Sequence, residues 1–304
     1  MNKKLMLVTA ILTVSLLTAC GNTSEQSSAS EDTHTSHNQG NAEKSAVSGS
    51  GEKKVEDNTV KEDHSSHGAE SKKTDVQMNA KVTFQAGTAK ANENTELAIQ
   101  ITGKDGTPIN KFDENHEKLL HLIIVNHDLS FFNHIHPEFQ GDGKFKVTTS
   151  FPAGGDYKVF ADFIPTGGAG TTLSDWVKVE GHASQHTAVK ADTKLVKEID
   201  GKKVELTLSS NKANEEVTLT FNIRDAETNK GIDILEPYLG AVGHVVILSD
   251  DAEQYLHVHP MDEKATGPEA KFATSFPHSG TYKIWGQFQQ NGKVFTAPFV
   301  VDMK

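Results

Sequence analysis

The stretch HLIIVNHDLSFFNHIHP, residues 121–137, aligns without a gap on HVVILSDDAEQYLHVHP, residues 244–260. His121, His134 and His136 therefore correspond to His244, His257 and His259, and in both copies the first histidine precedes the second by 13 residues. A further pair of blocks follows, TSFPAGGDYKVFADF (149–163) and TSFPHSGTYKIWGQF (274–288), offset by two more residues. Self-similarity of this kind marks a duplicated folding unit. The chain has to build one fold twice, over about 76–181 and 190–304.

Short alternating runs fill both copies. TELAIQI (95–101) sets Leu97, Ile99 and Ile101 on one side, and KFKVTTSF (144–151) does the same with Phe145, Val147 and Phe151. VELTL (204–208) and EVTLTFNI (216–223) repeat the pattern in the second copy. A period of two is that of half-buried strands, and no long stretch has a helical period. Each copy has about seven such strands in roughly 105–115 residues, with turn signals such as GDG (141–143) and NG (291–292) between them. That is the length and rhythm of an immunoglobulin-like sandwich, so the expected fold is all-β, two tandem immunoglobulin-like β-sandwich domains. Gly155 to Tyr157 and Gly280 to Tyr282 each open a strand in the manner of a tyrosine corner, which makes both tyrosines corner residues and not ligand contacts.

The N-terminal twenty residues, MNKKLMLVTAILTVSLLTAC, have a basic start, an apolar run too short to span a bilayer, and a terminal cysteine. LTAC resembles the lipobox of bacterial lipoproteins. The resemblance implies a signal peptide over 1–19, acylation of Cys20, and a lipid anchor on the extracytoplasmic face of the cell membrane. Cys20 is the single cysteine, so an acylated chain keeps no thiol for disulfides, redox chemistry or metal binding. Loss of Lys3 and Lys4 with the leader takes the formal charge from −11 to −13, a poor balance for nucleic acid. Residues 20–75 are polar and nearly free of large apolar side chains; they read as a disordered tether. HTSH (34–37) and HSSH (64–67) within it are weak mobile ligands or solvated linker histidines.

The histidines carry the chemistry. Side chains alternate across a strand, so His134 and His136 share a face, and His121 at the start of the preceding strand reaches the same end of the sandwich. Three neutral imidazoles suit Cu(II), Zn(II) or Ni(II), with copper held tightest. The expected arrangement is one ion in each module: His121, His134 and His136 in the first, His244, His257 and His259 in the second. Free imidazole titrates near 6.5, so affinity is expected to fall between pH about 7 and about 5. Asp162 and its counterpart Gln287, and Met261 where the first copy has Glu138, differ between copies and stay outside the expected site. Structural histidines that stabilise strand ends are the competing reading.

The lipobox, the His-bearing tether and sandwich modules carrying a histidine, twelve residues, then HxHP resemble extracytoplasmic metal-handling lipoproteins of Gram-positive bacteria, with modules similar to YtkA-like or CopC-like copper-binding domains. The resemblance implies copper, or zinc in its place, bound for tolerance or for delivery to a cuproenzyme or metal transporter. The chain departs from CopC-like proteins in lacking an N-terminal histidine ligand. HIHPE (134–138) also imitates part of a cupin iron site, but after FPAGG no histidine stands where the cupin pattern expects one, and no Ser/His/Asp signature or phosphate-binding loop is present. The expectation is therefore a binding protein and not an enzyme. An adhesive or structural pair of sandwiches is the alternative.

Overall fold

The structure, a computed structural model, describes residues 80–256 and 258–304, with His259 described by its backbone alone. The leader, Cys20, the tether and its histidines lie outside the described residues, as does His257. Every regular element among the described residues is a strand.

The first module contains β1 (Lys81–Gln85), β2 (Ala89–Lys90), β3 (Asn94–Thr102), β4 (Phe112–Asp113), β5 (Leu120–Asn126), β6 (Phe132–Ile135), β7 (Glu138–Gly141), β8 (Lys144–Ser150), β9 (Gly155–Pro165) and β10 (Thr171–Glu180). One sheet runs β1-β3-β8-β7 and the other β2-β10-β9-β5-β6, with β4 on β9. The second module contains β11 (Val196–Ile199), β12 (Lys202–Leu208), β13 (Glu216–Asp225), β14 (His244–Ser249), β15 (Tyr255–Leu256), β16 (His259–Pro260), β17 (Glu269–Ser275), β18 (Gly280–Gln290) and β19 (Lys293–Met303). Its sheets run β11-β12-β13-β17-β16 and β15-β14-β18-β19. Two stacked sheets per copy, antiparallel but for the short parallel pair of β2 and β10, make the tandem immunoglobulin-like sandwich that the alternating runs predict.

Alternation accounts for both cores. Leu97, Ile99 and Ile101 of β3 and Phe145 of β8 point inward and are fully buried, together with Leu122, Ile124 and Val159 from the facing sheet. The second core collects Leu206, Val217, Leu219, Phe221 and Phe272 from one sheet and Ile247, Ile284 and Phe299 from the other. Both corner tyrosines bond the chain upstream of their strands: Tyr157 Oη donates to Ala153 O at 2.9 Å, and Tyr282 Oη to His278 O at 3.0 Å. Such a bond anchors the turn into β9 and β18, the strands that carry Asp162 and Gln287.

A third apolar cluster joins the modules. It contains Ile123, Val125, Leu129 and Phe160 from the first copy and Val246, Leu248, Ala252 and Trp285 from the second. These are the same positions of the repeat, so one patch meets its own counterpart, as at an isologous interface. Burial on both faces explains why β5 and β14 read as unbroken apolar runs, LIIV and VVIL, while β3 and β8 alternate. The segment between the modules is not a free linker either. Thr187 N–H donates to Asp128 at 2.9 Å, Val189 packs on the shared cluster, and Asp192 accepts from Val300 N–H and pairs with Lys197.

Candidate metal centre

Register decides which side chains face the interface. In β5 and β6, Ile123 pairs with His134 and Val125 with Phe132; in β5 and β9, His121 pairs with Asp162 and Ile123 with Phe160. Cross-strand partners share a face. The outer face of the first module therefore bears the apolar pair Val125 and Phe132, then Ile123 flanked by His134 and Phe160, then His121 beside Asp162. Ile135, between the two histidines, turns to the module's own core. Pro137 follows, in the single step between β6 of one sheet and β7 of the other, where a residue without an N–H breaks no ladder.

The face of the second module has the same design, with His244 paired to Gln287 and Val246 to Trp285. Packing the two faces brings the polar rows together. His121 and His244 stack with ring centroids 5.2 Å apart and planes 14° from parallel, and His134 lies 5.0 Å from His244. His116, in the loop before β5, stands edge-on to His244 at 4.9 Å.

His121, His134 and His136 form one group whose ligand atoms all lie within 4.8 Å of one another. Their ring centroids are 4.8–5.3 Å apart. The sequence-based triad of the first module is thus assembled. For the second module the structure places His244 against His121; His257 and the side chain of His259 lie outside the described residues.

Hydrogen bonding fixes the tautomers. His134 Nδ1 is 2.7 Å from Gln287 Oε1, an oxygen that only accepts, so Nδ1 carries the proton of the neutral ring. His121 Nε2 is 2.8 Å from Asn115 O, and by the same reasoning carries its proton. The remaining nitrogens, His121 Nδ1 and His134 Nε2, lie within hydrogen-bond distance of each other at 3.0 Å. His136 Nε2 is buried without a hydrogen-bond partner among the described residues. His121, His134 and His136 thus each bring a ring nitrogen within 4.8 Å of the others.

A proton is poorly suited to that place. Burial, and then the charge His121 would carry, push His134 down to about 3, and the same causes push His136 to about 4. His244 is held well below the usual imidazole value by burial and by His134 and His121. His134 and His136 therefore stay neutral far below the pH about 7 to 5 window expected from free imidazole. Asp162, also buried, is raised to about 6 despite hydrogen bonds donated by Thr172 and Tyr255.

Sequence reasoning missed His116, which lies outside the aligned blocks, and the role of Gln287, which it treated only as the residue replacing Asp162. A full-length conserved spacing could not reveal either, because both act across the module interface.

Two sandwiches packed through equivalent faces, with a histidine triad buried beside the seam, define a tandem immunoglobulin-like protein with an interfacial histidine site. The chain belongs to the family described as Domain of unknown function (DUF8832), which matches residues 73–181 and 197–304. That description assigns no ligand. No curated protein matches the chain. Similar solved structures include FdeC, an Escherichia coli adhesin, at 16% identity and a TM-score of 0.26, covering 74% of this chain and 64% of that one. The D00-D0 domain of intimin matches at 11% identity, TM-score 0.23, covering 74% of this chain and 99% of its own. The titin tandem A164-A165 matches at 12% identity, TM-score 0.19, covering 74% and 97%. The chain spans less than two thirds of the length of the adhesin, and all three similarities concern the fold alone.

Proposed function

We propose that the protein is a metal-binding lipoprotein of the cell membrane's extracytoplasmic face, anchored through Cys20, that holds a transition metal at His121, His134 and His136. The observation that carries this reading is the convergence of one ring nitrogen from each of His121, His134 and His136 within 4.8 Å, two of them 3.0 Å apart, backed by the buried unpartnered Nε2 of His136. Zinc and copper bind imidazole nitrogen at about 2.0–2.1 Å, which sets two tetrahedral ligands about 3.3 Å apart, close to the spacing the fold already holds. All-nitrogen ligation suits Cu(II) and Zn(II), with Cu(II) favoured by intrinsic affinity. The site offers no nucleophile and base pair, so binding for tolerance or for delivery to a cuproenzyme or transporter fits better than turnover. The likeness of the HxHP spacing to YtkA-like and CopC-like domains supports the same reading.

A second reading, a structural or adhesive pair of sandwiches, is favoured by the apolar cluster that joins the modules and by the hydrogen bond from His134 to Gln287 across it. Metal analysis and calorimetric titration of the chain from Asp75 onward separate the two. Stoichiometric Cu(II) or Zn(II) in the parent, lost on replacing the triad, supports the first; no retained metal and no heat of binding supports the second.

A further inference from the structure

The tautomer of His134 is tied to a residue of the other module. Gln287 lies on β18, paired with His244, and its Oε1 receives the Nδ1–H of His134 across the interface at 2.7 Å. The amide has two ends, and only one orientation presents oxygen to the ring. Its Nε2 donates to Thr296 Oγ1 at 3.2 Å, on the neighbouring strand and directly opposite in register. Thr296 thereby accepts from the end of the amide turned away from His134. The same device stands at the equivalent place of the first module, where Asp162 accepts from its cross-strand partner Thr172 at 3.1 Å. Threonine beside the polar residue of this row is thus used in both copies, while the residue it orients differs: a carboxylate in one and a neutral amide in the other. The amide at Gln287 directs the imidazole without adding charge to the site.

We propose that Gln287 is a positioning residue: from the second module it fixes the tautomer and ring orientation of His134, so that the first module's triad is ready for metal only while the two modules are docked. The inference rests on the reading of the triad as a metal site. Groups that hold the outer nitrogen of a ligating histidine typically change metal affinity by about 10–100-fold when removed. Docking of the modules and loading of the site are then coupled, each favouring the other.

The test uses the chain with Gln287→Leu and Gln287→Glu, and reads the tautomer apart from the metal. Long-range proton–nitrogen spectra of the metal-free parent should show His134 protonated at Nδ1 and bare at Nε2. Gln287→Leu should populate the Nε2–H form and weaken Zn(II) by about 10–100-fold. Gln287→Glu, which keeps an acceptor at the same reach, should restore both. A parent His134 protonated at Nε2, or a tautomer and Zn(II) affinity unchanged in Gln287→Leu, overturns the inference and leaves the metal reading standing. The expected tautomer shift with no Zn(II) bound by any form sinks the metal reading but keeps Gln287 as the group that sets the ring. Unfolding curves of both variants show whether they fold; if Gln287→Leu does not, the affinity and tautomer of Gln287→Glu against the parent still decide, because loss of both in that variant counts against the inference.

Discussion

His121 and His244 occupy the same position of the repeat, and in the folded chain they stack on each other with their rings 14° from parallel. A duplicated surface has become an internal seam, and the residue that opens the HxHP motif in each copy meets its own counterpart there. Binding chemistry, pH response and module coupling all follow from that seam.

Removing ligands should remove metal without removing the fold. His134→Ala with His136→Ala should abolish the tight Cu(II) equivalent assigned to the first module in calorimetric titration. Zn(II) should raise the melting temperature of the parent, since a ligand bound only by the native state stabilises it by RT ln(1 + [L]/Kd), and leave that of the double variant unmoved. Unchanged stoichiometry in the variant contradicts the site.

Acid should weaken the metal-free protein earlier than its carboxylates alone would. In the unfolded chain imidazole titrates near 6.5. In the fold His134 stays neutral to about 3 and His136 to about 4, through burial and the neighbouring rings. Below pH about 6.5 the unfolded state therefore binds more protons, and the stability present above that value is lost as pH falls toward about 4. Asp162 acts with the opposite sign, because its value is raised to about 6 and the fold takes its proton first. The imidazoles, joined by His244, outweigh the single carboxylate. Denaturant midpoints should fall steadily between pH about 6.5 and about 4; a flat or rising curve would contradict the buried neutral cluster.

Trp285 is the largest side chain of the seam, stacked on Phe132 of the other module with centroids 4.6 Å apart and planes 15° from parallel. The parent should unfold in one calorimetric transition despite having two cores. Trp285→Ala should cost about 3–5 kcal/mol and split the transition in two, since each module keeps its own core but loses its hold on the other. Two transitions in the parent itself would show that the modules are independent, as the polar junction alone suggests.

The proposed membrane anchor is Cys20, the sole cysteine, at the end of the apolar N-terminal run. Cys20→Ala should release the protein from washed membranes in which the parent is retained. Equal retention of both would remove the lipid anchor from the account.

Much of this protein is written in local pattern. Alternation in TELAIQI and EVTLTFNI specifies strands with one buried face, the Gly-x-Tyr steps specify the corners, and the repeat specifies that the sandwich is made twice. Even the approach of His121 to His134 follows from strand parity and a turn at Asn126 to Ser130, because an antiparallel pair brings the start of one strand to the end of the next. The unbroken runs LIIV and VVIL also recorded that β5 and β14 are buried on both faces. A hydrophobic pattern states which faces leave water and not what covers them, because apolar burial is non-directional. Only the tertiary structure therefore set the outer face of one module on that of the other. That contact carried His244, His116 and Gln287 to the triad and gave His134 the partner that decides which of its nitrogens is bare. Hydrogen-bond partners 153 residues apart leave no periodicity in the chain, and their alignment exists only once both cores have formed and docked.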